Sequence, residues 1–358
     1  MSSPTKTGSL SHSDVRAGNF YRIAIVGAGT LKGKEVAEVL NDRNFPARDV
    51  KLLDDDESLG QLENVGDEVT FIQKVRAEEF RNLDFTFFAS DPHCTRKNWS
   101  MARDAGSDVV DLSFALEDEP GVTVRSPWIE REQGRAPAPN LQPGPVVVAH
   151  PAAVVLALLI LRARKAGNVK SVIATVFEPA SEHGQKGMDE LHEQTVNLLS
   201  FQQLPKNVFD IQVAFNLITR YGEQSVPALA AVEARILRHY QGVSGNDVPP
   251  LSLLLVQAPI FHGHAFAIHL EFEQAVDVAN VTQALGGDHT AVISGPEDAP
   301  NNVSAAGQPD VQVCVKADSN QRDGVWLWAA SDNLRIGAST AVECAETMAA
   351  NRPRGKVQ

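Results

Sequence analysis

The sequence predicts an α/β chain in two parts: a parallel sheet wrapped by helices, then an α+β unit built on a mixed or antiparallel sheet. Three observations predict it. YRIAIVGAGTLKGKEVAEVL reads as a buried strand, a glycine turn and a helix with apolar residues at helical spacing. VKLLDDD, VTFIQKV, LDFTFFAS and GSDVVDLS then alternate with turn or helical segments, the rhythm of parallel strands covered on both faces. From Lys170 the texture changes, and AFAIHLEFE alternates like an antiparallel strand with one covered face.

Taken in order, the first strand is Tyr21–Val26 and its helix begins over Lys34–Leu40. Residues Glu130–Gly144, rich in proline, glycine and charge, read as a surface loop before a strand at Val146–Ala149. His150-Pro151 breaks that strand, and an apolar helix starts at Ala152, since proline is tolerated in a first helical turn. The second sheet draws its expected strands from VKSVIATVFEP, FDIQVAFNLI, LSLLLVQAPIF, AFAIHLEFE, VQVCVKAD and GVWLWAAS. Helices are expected at GMDELHEQTVNLLS, ALAAVEARILRHY and ASTAVECAETMAAN. This gives a disordered polar leader over 1–19, a dinucleotide-binding (Rossmann-like) domain over 20–150, a second domain over 151–331 and a closing helix over 332–352.

Bulk properties exclude several functions. The 358 residues carry a formal charge of −13, which argues against binding nucleic acid or an anionic membrane surface. Cys94, Cys314 and Cys344 are too few and too scattered for a disulfide framework or a zinc site. The longest apolar run, Val146–Leu161, is interrupted and too short to span a bilayer. The expectation is a cytoplasmic protein with no membrane or metal partner.

The glycine turn is the first candidate site. Gly27 and Gly29 match the opening glycines of G-x-G-x-x-G, but Lys32 stands at the third position and the next glycine is Gly33. Candidate cofactor contacts are Gly27, Gly29, Thr30, Leu31 and Gly33. At the end of the second strand, Asp54, Asp55, Asp56 and Glu57 stand where an acid would bond the adenosine ribose hydroxyls of NAD. A 2′-phosphate there would meet like charges, so NAD is expected over NADP if a dinucleotide binds. The plain alternatives are a turn kept for packing and a solvated acidic loop.

A second candidate is the strand–turn–helix at Val146–Leu161. The first turn of such a helix activates a thiol, yet it offers Ala152, Ala153 and Val154. Other residues have ordinary readings. His262 and His264 would share a strand face as a metal pair, but no third ligand is near in sequence. Cys94 reads as an unremarkable thiol in a βα loop, His150 as a histidine bonded to a nearby carbonyl, and Trp326 with Trp328 as packing on one sheet face.

RIAIVGAGTLKGKEVAEVLNDRNFPARDVKLL, SEHGQKGMDELHEQTVNLL with FDIQVAFNLI, QAPIFHGHAFAIHLEFE and DNLRIGASTAVECAE occur in the order and spacing of one family. With them the chain resembles aspartate-semialdehyde dehydrogenase over nearly its whole length, and in particular its paralogues without the nucleophilic cysteine. The resemblance implies NADP-linked reductive dephosphorylation of aspartyl phosphate through a cysteine thioester, on a homodimer. It also implies cofactor contacts at Ser181 and Asn333.

Matched position by position, most of that chemistry is missing. Where the family carries N-P-N-C-S-T this chain has HPAAVV, so Ala153 stands at the nucleophile and cannot form a thioester. The acid/base histidine falls on His264. The arginine that grips the substrate carboxylate falls on Gln257, and the glutamine that positions substrate falls on Glu178. Substrate contacts on a later helix appear as Pro227 and Leu229, and the phosphate-binding arginine is absent from DLSFALEDE. Ser181 is followed by Glu182 where the family has glycine against the nicotinamide. Asp55 and Glu57 replace the pair that reads the NADP phosphate. The expectation is a non-catalytic binding or regulatory member, with NAD as the cofactor if any and an active paralogue as a candidate partner. The rival is an NAD-dependent oxidoreductase on another carbonyl, by direct hydride transfer with His264 as acid/base.

Overall fold

The computed structural model describes residues 20–55, 59–65, 68–135, 144–295 and 299–352. The leader, Asp56 and Glu57 lie outside the described residues. The first part is a seven-stranded sheet in the spatial order Gln73–Lys74, Ala47–Asp54, Tyr21–Val26, Phe85–Phe88, Asp108–Asp111, Val146–Val148, Thr123–Arg125. Every pairing in it is parallel. Alternation along Tyr21–Val26 explains the two layers. Ile23 and Ile25 pack with Val36, Val39 and Leu40 of the helix Leu31–Asp42 and with Ala341 and Cys344 of the final helix. Ala24 and Val26 face the other way, onto Phe80, Phe88, Cys94 and Ala102.

Three expectations in this part are corrected. VTFIQKV does not form one strand of the sheet: Glu68–Phe71 folds back on Leu62–Val65 as a separate hairpin, and only Gln73–Lys74 reaches the sheet edge. The segment from Glu130 is not loop at its start, because Pro127–Glu132 is a short helix anchored by buried Trp128 and Ile129. Cys94 sits in the helix Pro92–Asp104, whose cap is Asp91, rather than in a loop.

The helix Pro151–Ala163 joins the two parts and is buried on every side, as a helix apolar all round must be. Leu156, Leu158, Leu159 and Ile160 are fully enclosed, each stabilising by about 2 kcal/mol. Its buried Arg162 is held by Glu132 at 3.0 Å, Thr290 Oγ1 at 2.7 Å and the Asp288 carbonyl at 2.8 Å.

The second sheet runs Leu251–Gln257, Val169–Glu178, His264–Phe272, Gly324–Ser331, Val311–Ala317, Thr290–Val292. Its central pairs are antiparallel and its two edge pairs parallel, so the sheet is mixed. Val172, Ala174, Val176, Phe266 and Ile268 turn inward onto the helices Pro151–Ala163 and Leu229–Ser244. Ile173, Leu254, Trp326 and Trp328 turn outward and stay partly exposed, so the two tryptophans share a face but do not sit in a core.

FDIQVAFNLI is not a strand. Backbone donors in and just before it go to side chains of the helix Gly184–Leu199 instead: the N–H groups of Asn207 and Val208, which precede it, and of Phe209 to Glu190, and those of Val213 and Ala214 to Gln194 Oε1. A segment whose N–H groups are taken by buried side chains has none left for a ladder, and only Ile218 bridges to Gln257. The final helix, Asn333–Asn351, returns to the first sheet, where Arg335 pairs with Glu35 at 3.0 Å and with Asp42.

Candidate active site

The glycine turn is fixed by its own packing. A Cβ on Gly27 would lie 2.4 Å from the Ser90 nitrogen, and one on Gly33 would lie 2.1 Å from the Gly27 oxygen. Thr30 caps the helix, accepting from Gly33 N–H at 3.0 Å and donating to the Gly27 carbonyl at 2.8 Å. Leu31 begins the helix beside it. Asp54 does not face outward as a ribose ligand: it is buried, accepting from Gly29 N–H at 3.2 Å and Asp55 N–H at 2.9 Å. Of the described acids at this strand end, Asp55 alone is left part-exposed. Asp55, Asp91 and Cys94 are close enough to hold a metal ion, but the Asp91 carboxylate already caps its helix and burial pushes the Cys94 thiol up to about 11.

From this turn a continuous row of side chains leads to the N-terminus of the helix Pro151–Ala163. Lys32 reaches across to donate to the Leu112 carbonyl at 3.3 Å, with its ammonium 4.8 Å from the Phe114 ring centre. Phe114, in the left-handed region at φ 63°, stacks on His150 at 5.4 Å. His150 is the N-cap of the helix Pro151–Ala163. Its Nδ1 accepts from Ala152 N–H at 3.3 Å, so it bonds an amide, not the carbonyl the sequence suggested. The backbone N–H of His150 donates to His239 Nδ1 at 2.9 Å, which leaves the His239 proton on Nε2, 3.1 Å from Glu117. Arg235 and Arg238 also bond Glu117. Burial alone would raise this carboxyl, but His239 and Arg235 outweigh it and hold Glu117 near about 2.

At the focus, Ala152 and Ala153 are fully buried. His264, fully buried at the start of its strand, has Glu178 Oε2 at 3.6 Å and Glu182 Oε1 at 3.8 Å from Nε2. Neither distance is a hydrogen bond, and both nitrogens of His264 and both carboxylate oxygens of Glu178 lack partners. Burial raises the Glu178 carboxyl. Burial would raise Glu182 too, but His150, Lys32 and His264 hold it below the usual carboxylate range, helped by Asn333 Nδ2 donating to Oε1 at 2.8 Å. Burial also drops His150 well below its ordinary value, with Glu182 opposing. Gln257 does not reach the Glu178 carboxylate. Its Nε2 donates to the Glu178 and Ala258 carbonyls, and its Oε1 accepts from Tyr221 at 2.6 Å.

Ser181 donates to Asn333 Oδ1 at 3.2 Å, and that oxygen also accepts from Gly263 N–H at 3.1 Å. His262 is not paired with His264: its ring nitrogens lie 2.7 Å from Asp332 Oδ2 and 3.2 Å from Ser181 Oγ. The structure thus brings His264, Glu178, Glu182, Ser181, Asn333 and His150 to one place, with Ala153 in the first turn of the helix that His150 caps and Gln257 behind the Glu178 carbonyl. Sequence reasoning missed the Glu117–His239 support, which lies far apart in the chain, and the reach of Lys32, which was visible as the misfit in the glycine pattern.

Comparison with known proteins decides the family. The model of the semialdehyde dehydrogenase NAD-binding domain matches residues 22–136, and that of its dimerisation domain matches residues 160–336. A USG-1 protein homologue from Pseudomonas aeruginosa is 33% identical over 321 residues, covering 88% of this chain and 94% of the relative. The chain belongs to the aspartate-semialdehyde dehydrogenase family. An aspartate-semialdehyde dehydrogenase from Rickettsia bellii is 28% identical, over 92% of this chain and 97% of its own. The solved structure of a probable aspartate-semialdehyde dehydrogenase from Pseudomonas aeruginosa superposes with a TM-score of 0.81 at 30% identity, covering 92% of this chain and 99% of its own. The α/β architecture matches in both parts, with a dinucleotide-binding and a dimerisation domain. No helix among the described residues is long and apolar enough to cross a membrane.

Proposed function

We propose that this semialdehyde dehydrogenase family member does not run the family's thioester chemistry and acts as a homodimeric binding or regulatory protein. The observation that carries the reading is the first turn of the helix Pro151–Ala163. Ala153, at the position of the nucleophile, presents a buried methyl group, and His150 already takes the Ala152 N–H. The substrate anchors go the same way. Gln257 is neutral and committed to internal bonds, and Glu178 opposes an anionic ligand.

The two halves of the cofactor cleft differ in fit. The glycine turn keeps the backbone shape that a pyrophosphate requires. At the other end Glu182, bonded by Asn333, stands where the family has glycine against the nicotinamide. A dinucleotide would therefore be held by the adenine side, with Asp55 favouring NAD over NADP. A second reading, reduction of another carbonyl with His264 as proton donor, is favoured by His264 and Glu178 facing each other, buried, at 3.6 Å.

The test is an assay of the purified homodimer with aspartate semialdehyde, phosphate and either NAD or NADP. The proposal expects no cofactor reduction above a no-enzyme control. Steady turnover of aspartate semialdehyde would overturn it. Turnover of a different carbonyl that His264→Ala abolishes would establish the second reading instead.

A further inference from the structure

Buried polar side chains in this protein are in general matched to partners. Among the described residues, the buried side-chain atoms without one include isolated hydroxyls of Ser126, Ser225 and Ser331, and four atoms in a single place: both oxygens of Glu178 and both nitrogens of His264. Leaving one such group unpaired costs about 1–3 kcal/mol, and more for a charged one. Lys32 acts on Glu182 and Glu178 alike, and His264 faces Glu178 at 3.6 Å without a hydrogen bond, while Gln257 is a neutral amide turned elsewhere.

We propose that this buried cluster takes the ammonium group of a small primary amine. The acceptors are the Glu178 carboxylate, His264 Nε2 3.6 Å from it, and the Glu182 carboxylate 3.8 Å from the same nitrogen. These acceptors offer partners to the N–H donors of an alkylammonium, which would satisfy the orphaned atoms of Glu178 and His264. An anion is disfavoured by two carboxylates. A metal ion is less well suited, since the three-ligand group compact enough for one lies elsewhere, at Asp55, Asp91 and Cys94.

The inference rests on the site's release from anionic substrate, but it can fail while the chain stays inactive, and the reverse. The experiment is calorimetric titration of the full chain, in sodium buffer at neutral pH, with methylamine, ethylamine and, as a cation without N–H groups, tetramethylammonium. One primary amine per protomer is expected to bind, tetramethylammonium not at all, and Glu178→Gln to weaken binding at least tenfold. Thermal melting guards against misfolding. Glu178→Gln should still melt cooperatively, but without the rise in Tm that the amine gives the native chain. No binding of either amine, equal binding by tetramethylammonium, or unchanged binding in the variant would overturn the proposal.

Discussion

Two buried glutamates in the second domain, Glu178 and Glu190, are treated in opposite ways. Glu190 accepts from three backbone N–H groups at 2.5 to 3.2 Å and fixes the segment Asn207–Phe209. Glu178, at the end of a strand and equally enclosed, accepts from none. A carboxylate that closes a network stabilises the fold, while one held without partners lowers stability and persists for a ligand. Scaffold and site can therefore be told apart by counting partners, even where both are buried.

The sharpest way to break this comparison is Glu190→Ala. It orphans three backbone donors and is expected to cost about 4 kcal/mol, read as a fall in the urea midpoint at unchanged slope. A loss under about 1 kcal/mol would remove the distinction. Next in size is Glu117→Gln at the support behind His150. The Glu117 carboxyl lies near about 2 in the folded chain against an ordinary 4.5. Its contribution is thus present above pH 4.5 and lost as pH falls toward 2. The variant should be about 2 kcal/mol less stable at pH 7, allowing for the exposed arginines. Native and variant curves should converge through that acid window, and a gap independent of pH would mean that packing, not charge, is involved. Smallest is Glu178→Leu, which removes a buried carboxyl with no partner. It should be neutral or stabilise by up to about 1 kcal/mol in the same urea measurement, whereas a loss above about 2 kcal/mol would show that Glu178 is structural.

Much of the fold was legible because it rests on local pattern. The strand–glycine–helix start, the alternation of His264–Phe272 and the apolar helix after Pro151 each carry their own periodicity. FDIQVAFNLI misled because it has the composition of a strand, while the groups that claim its backbone, Glu190 and Gln194, lie on a separate helix. The short edge strand Thr123–Arg125 had no alternation to read. The candidate positions His264, Ala153 and Ser181 were read from family motifs, not from local periodicity. Asp54 misled because its position at the strand end suggested a ribose ligand, but burial turned it onto the Gly29 N–H. The His150–His239–Glu117 chain joins residues far apart in sequence and leaves no local signature.

On the proposed function, thioester chemistry was lost at several positions, not with the thiol alone. Ala153→Cys tests it most directly, because it restores the sulfur and nothing else. With aspartate semialdehyde, phosphate and NADP or NAD, and with alkylation confirming a reactive thiol, the account predicts cofactor reduction no faster than in the unaltered chain. Turnover within about a hundredfold of a typical enzyme rate of ~10 s⁻¹ would contradict it.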